Sequence, residues 1–180
     1  AWYATVGEVG VAQNRLGHSE GLANLGQHLA GLMPEPRAAN IHAIACARIA
    51  ARLIASGQRV LAEQLLHVIG PILAIAGEAD PLVKAWEHRA RASYVAFLGD
   101  PGAHITHLRL SLAAFEQIGD LRRACAQRMN LGHGYLLVGA YAQAETELRE
   151  ALATAQRMGL LNLAAVARHN LGLARAHQGD

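Results

Sequence analysis

The stretch from Asn130 to Gly159 reads NLGHGYLLVGAYAQAETELREALATAQRMG, and its punctuation decides how the rest of the chain is read. Asn130, Leu131, Gly132 and Tyr135 share one apolar helix that Gly139 ends. Ala144, Leu148, Ala151 and Leu152 mark a second helix that Gly159 closes. Asn170, Leu171 and Gly172 restart the pattern one period later, and Gly179 repeats Gly139.

Outward from this stretch the glycines keep the period. Gly17, Gly57, Gly99, Gly139 and Gly179 are separated by 40, 42, 40 and 40 residues, and Gly77, Gly119 and Gly159 keep a step of 42 and then 40. Two interleaved series mean two turns per unit. Glycine suits such turns because a helix commonly ends in a left-handed residue, a conformation that disfavours a side chain. A fixed period of this size indicates stacked repeats.

The composition agrees. Of the 180 residues 52% are hydrophobic and only 4% aromatic, the apolar mass being mostly Ala and Leu, which suits closely packed helices. Without β-branched runs or alternating polar and apolar residues, almost no strand is expected. The formal charge is only +2, with arginines dispersed and Lys84 the sole lysine, so no basic block points to a nucleic acid as partner. Cys46 and Cys125 fall inside predicted helices and read as reduced, buried thiols.

No run of about 18 uninterrupted apolar residues is present, and residues 1–10 lack the basic start of a signal peptide. A soluble cytoplasmic protein without a membrane partner is expected. The start at Ala1 and the stop in mid-repeat after Gln178 suggest a piece of a longer chain.

The predicted helices are Ala1–Leu16, Ser19–Met33 with Ser19 as cap, Ala38–Ser56, Arg59–Ala76 kinked at Pro71, Leu82–Leu98, Ala103–Ile118, Leu121–Val138, Ala142–Met158 and Leu160–His177. Asp80-Pro81 and Asp100-Pro101 are strong helix starts, since Asp caps free amides and proline is tolerated at the first helical position. The expectation is one all-α domain over 1–180, a right-handed α-solenoid of antiparallel pairs with about nine helices. Its repeats run approximately 1–35, 36–78, 79–119, 120–159 and a partial 160–180. Small residues at equivalent inner places, Gly10, Ala50, Ala92, Gly132 and Gly172, let paired helices approach closely. A large residue at Gly132 should cost about 1–3 kcal/mol by overpacking.

The period, together with Asn130-Leu131-Gly132-His133-Gly134-Tyr135, Ala144, Ala151 and Asn170-Leu171-Gly172, resembles the tetratricopeptide repeat in its variety of about 40 residues per unit. The letters match in the last third, whereas earlier units keep only the spacing: Ala92 replaces the small glycine and Val95 stands in the place of Tyr135. The resemblance implies a concave groove, lined by the first helix of each pair, that takes an extended or helical peptide. Carried over, the groove positions are Trp86, Arg89, Ser93 and Phe97 in the third unit; Met129, Asn130, His133 and Leu137 in the fourth; and His169, Asn170, Leu173 and His177 in the fifth. Asn and His would hydrogen-bond peptide amides, and Trp86, Met129 and Phe97 would take apolar side chains.

A second reading stays open at six of these places. Asn130 and Asn170 bond the neighbouring repeat, Trp86 is core, and His133, His169 and His177 are solvated surface.

Chemistry of other kinds finds little to stand on. His104 and His107 share a helix face as a possible metal pair without a third ligand, and His42 with Cys46 has the same defect. No phosphate loop or nucleophile elbow is present, and Glu145, Glu147, Glu150 and Arg149 read as a solvated, charge-balanced surface. No enzyme, cofactor or metal is expected. The chain reads as a scaffold for a protein or peptide partner, or for another domain of its parent chain, of the kind found in bacterial signalling proteins built on a kinase, an ATPase or a transcription regulator. Self-association as a homo-oligomer or structural spacer is the alternative.

Overall fold

The computed structural model describes residues 5, 8, 9, 12, 19–76 and 80–179. Among them every regular element is helical: α1 (Ser19–Gly31), α2 (Ala39–Ala55) preceded by a short 3₁₀ turn (Pro36–Ala38), α3 (Arg59–Ala76), α4 (Pro81–Phe97), α5 (Pro101–Gln117), α6 (Leu121–Leu137), α7 (Tyr141–Arg157) and α8 (Leu161–Gln178). Each predicted helix after the first is present within two residues at either end. Of the predicted Ala1–Leu16 helix only Thr5, Glu8, Val9 and Ala12 are described, each of them helical; its closing Gly17, the small residue Gly10 and the turn at Gly77 lie outside the described residues, and so does the Ser19 side chain.

The turn chemistry follows the sequence. Gly57, Gly99, Gly119, Gly139, Gly159 and Gly179 all have positive φ, between 65° and 88°. At Gly139, for example, the amide donates back to Leu136 O and the next amide, Ala140, to Tyr135 O, so the helix terminates on its own carbonyls. At the opposite ends the Asp80 carboxylate accepts from Leu82 N at 2.8 Å, Asp100 from Ala103 N at 2.9 Å and Asp120 from Arg123 N at 3.0 Å.

Two compact units divide the chain, residues 1–98 and 99–180. In the first, α2 packs on α1, α3 and α4, and α3 packs on α1 and α4. Its core is aliphatic, with Leu22, Leu29, Ile49, Leu53, Leu65, Ile69 and Ile72 closed off from solvent. Pro36–Ala55 is long and apolar enough to cross a membrane by length and composition, with mean hydropathy 1.3, but more than half of it is buried inside the fold. Its apolarity is that of the central helix of the unit. His42 belongs to the same interior: its Nε2 donates to Leu29 O at 3.0 Å, and burial lowers its pKa more than that bond raises it.

In the second unit α6 packs on α5, α7 and α8, and α7 on α8. Each helix thus touches its neighbour in sequence, and α6 also touches α8 one helix further on, the contact pattern of stacked pairs. Gly132 is the closest approach. A β-carbon there would stand 2.6 Å from Leu148 Cγ and 3.3 Å from Ala144 O, so even alanine does not fit without movement. Ala50 and Ala92 are likewise buried. Gly172 departs from the expected equivalence: a β-carbon there meets nothing within 4 Å, because α8 packs on α6 and α7 through other faces.

Cys46 and Cys125 are free and buried. Burial pushes the Cys46 thiol up to about 12 and raises that of Cys125, whose Sγ donates to Ala151 O at 3.3 Å.

Candidate functional site

The predicted groove positions fall on α4 in the first unit and on α6 and α8 in the second. Each unit presents its own set.

In the first unit α2 and α4 lie side by side, and between them opens a cleft of about 180 Å³ lined by Arg48, Ala51, Arg52 and Ala55 from α2 and Trp86, Arg89 and Ser93 from α4. Spacings of three and four residues on both helices place these side chains on facing stripes. Trp86 is half-buried and packs on the aliphatic core, so it serves both readings: one part is core and another lines the cleft. The Arg48 and Arg89 guanidinium carbons stand 5.2 Å and 5.9 Å from a Trp86 ring centroid, within cation–π range. Arg89 has its pKa lowered, first by loss of solvent and then by the charge of Arg52. It remains protonated, since an arginine titrates far above neutrality. Ser93 Oγ donates to Arg89 O at 3.4 Å. Phe97 does not line the cleft and stands 52% exposed in the last turn of α4.

Arg48 and Arg52 were not among the predicted positions. The signal for them was the period: a step of 42 back from Ser93 and Phe97 lands on Ala51 and Ala55, and both arginines sit beside that stripe. Alanines at the matched places gave no chemical reason to look further.

In the second unit α6 and α8 are neighbours. His133, Leu137, His169, Leu173 and His177 are exposed, Leu137 by 68% and Leu173 by 42%. Met129 is half-buried against the cluster of Cys125, Ala151, Ala155, Ala164 and Ala167, which gives it a packing role. Asn130 is half-buried and Asn170 is buried, so burial favours a bond within the fold at Asn170 over contact with a ligand. His177 stacks on Tyr141 of α7, with ring centroids 4.8 Å apart and planes 6° from parallel. The face is therefore apolar at Leu137 and Leu173 and imidazole-rich around them. Beneath it, Tyr135 is buried and accepts a hydrogen bond from Arg109 of α5, whose guanidinium also lies 5.5 Å from its ring centroid.

Among the described residues no three of His, Cys, Asp and Glu converge as metal ligands, so His104 and His107 meet no third ligand there. His42 and Cys46 are interior groups: His42 Nε2 donates to Leu29 O, and Cys46 is a free, buried thiol.

No protein-family model matches the chain, and no curated protein matches it. Among solved structures it resembles that of a Signal Transduction ATPase with Numerous Domains (STAND) protein with a tetratricopeptide repeat sensor from Pyrococcus horikoshii. The TM-score is 0.76 at 16% identity, over 95% of this chain and 26% of that one. The chain thus spans about a quarter of the length of that protein. At this level of identity the likeness speaks for the fold alone, and that fold is an all-α solenoid of tetratricopeptide type.

Proposed function

We propose that the chain is a non-catalytic protein-interaction module, the sensor or regulatory region of a larger signalling protein, which docks a peptide segment on the first helices of its repeats. The observation that carries this reading is the exposed face of α6 and α8. Leu137 and Leu173 stand in solvent, each one turn after an exposed histidine of the same helix, His133 and His169. Exposed apolar side chains grouped among polar ones are the usual make-up of a docking surface. The solenoid likeness to a tetratricopeptide repeat sensor supports the same reading. The ligand is either a separate protein or another domain of the parent chain.

The test is a pull-down with the chain beside its His133→Ala, Leu137→Ala, His169→Ala variant, after circular dichroism shows equal helicity. All three side chains are exposed, so the fold is expected to stand. A partner retained by the parent chain and lost by the variant supports docking on this face, and a partner held equally by both removes it.

Self-association or a spacer role is the second reading. It draws on Leu121 and Leu161, the first residues of α6 and α8, which stand 57% and 80% exposed. Sedimentation velocity decides: mass that rises with concentration and falls back in a Leu121→Ser, Leu161→Ser variant supports it.

A further inference from the structure

The face of α6 that seats α7 recurs on α8, where no helix among the described residues covers it. On α6 that face is set by Cys125, Arg128 and Gly132, whose spacing of three and four residues puts them on one side of the helix. Cys125 Sγ donates to Ala151 O at 3.3 Å, Arg128 holds Glu147 and Glu150, and Gly132 leaves room for Leu148. One period of 40 residues on, the corresponding residues of α8 are Ala165, Arg168 and Gly172. All three are exposed, and a β-carbon at Gly172 meets nothing within 4 Å. Arg168 forms no ion pair among the described residues. The place of Glu116, the third carboxylate on Arg128, is taken one period on by the neutral Gln156.

We infer that this face of α8 docks a separate amphipathic helix, whose leucine lies over Gly172 and whose two flanking glutamates meet Arg168.

The template for that helix is α7. Its contacts run from Ala151 on Cys125, through Glu147 and Glu150 on Arg128, to Leu148 and Ala144 at Gly132, so α6 and α7 are antiparallel. The pattern presented is Ala-x-x-Glu-Leu-x-Glu-Ala, residues 144–151. Charge selects a separate helix over a second copy of the chain. α8 has no acidic residue, so two such faces laid together would set arginine against arginine. Among the described helices only α7 carries two acidic residues within one turn, and its Glu147 and Glu150 are already held by Arg128. Exposed ion pairs add little affinity, so Arg168 acts by rejecting wrong partners and the seat for leucine supplies the attraction. Arg168 and Gly172 take no part in the docking reading above, and either reading can fail alone.

The probe is an end-blocked, fluorescein-labelled peptide with the sequence of residues 141–157, titrated into the 180-residue chain at low ionic strength and followed by anisotropy. Saturable binding is expected, weakened about tenfold in Gly172→Ala, whose β-carbon would meet the incoming leucine as one at Gly132 meets Leu148. That substitution adds a methyl group at an open helical position, so helicity should hold or rise while binding falls. Arg168→Glu should weaken binding as well, and a peptide carrying Glu147→Arg and Glu150→Arg should recover it in that variant. No saturation, binding indifferent to Gly172→Ala, or no recovery on the charge exchange overturns the inference. Sedimentation mass that doubles with concentration and returns to monomer in Gly172→Ala overturns it too, since a second copy then fills the face. The pull-down variant above keeps Arg168 and Gly172. A partner held equally by that variant removes the docking reading and leaves this one to stand on the peptide titration.

Discussion

His42 shows how a residue that looks like a ligand in sequence is settled by its surroundings. It sits one turn before Cys46 on α2, a spacing that suits a metal pair, yet it is fully buried with its Nε2 proton on Leu29 O of α1. A buried imidazole with one fixed donor works as a helix-to-helix tie, and the neutral form is the one the interior accepts. Its pKa in the fold is lowered from 6.5 by burial, the Leu29 bond opposing in part. The unfolded chain therefore binds the more protons just below that pH, so the contribution of this residue to stability is present above pH 6.5 and lost as pH falls toward the folded value. Replacing His42 by Gln, whose amide still donates, should flatten the loss of stability on acidification by up to one proton, about 1.4 kcal/mol per pH unit. Denaturant melts of both proteins on either side of pH 6.5 measure it, and parallel slopes would refute the assignment.

At the level of elements, the second unit is tied by one arginine. Arg128 on α6 donates to Glu147 Oε2 at 3.0 Å and Glu150 Oε2 at 2.5 Å on α7, and to Glu116 on α5. Loss of solvent alone would lower its pKa, but the three carboxylates outweigh this and the pKa is raised. The sequence reading of Glu147 and Glu150 as solvated, balanced surface misses the geometry: their balance comes from Arg128 on the helix next door, not from Arg149, which lies between them in the chain. Arg149 pairs instead with Glu145, which also meets Arg175 of α8. Arg128→Met should destabilise the unit by about 1–2 kcal/mol, because three carboxylates then face one another without a cation. The deficit should shrink in high salt, where repulsion is screened. Thermal melts at two salt concentrations test this, and a deficit that does not change with salt would point to packing alone.

Across the whole molecule, the apolar cores belong to local groups of helices, as expected where each repeat is enclosed by its neighbours. Gly132→Ala drives a β-carbon into Leu148, which is fully buried, and should cost about 1–3 kcal/mol. Hydrogen exchange is expected to accelerate through residues 99–180, whose helices share that contact, with amides of residues 19–76 at the parent rates. Uniform acceleration of both units would show that they unfold as one.

The fold was legible because its determinants are local. Positive-φ glycines at a fixed step, Asp-Pro starts and Ala-Leu stripes each act within a turn or two of their own position, so the period alone fixed the number and limits of the helices from Ser19 onward. Gly132 was also legible, since its neighbours Ala144 and Leu148 belong to the same repeat. Residues whose role depends on a different repeat were not. Sequence placed Asn130 and Asn170 in equivalent positions, and the packing of α8 on α6 and α7 buries Asn170 while Asn130 stays half-buried. It placed Trp86 and Arg89 on a stripe, and only the approach of α2 to α4 set Arg48 and Arg52 against them. Turn chemistry is written in the chain one element at a time. A cleft is written in the side chains of two helices about 40 residues apart, and the fold alone brings those stripes face to face.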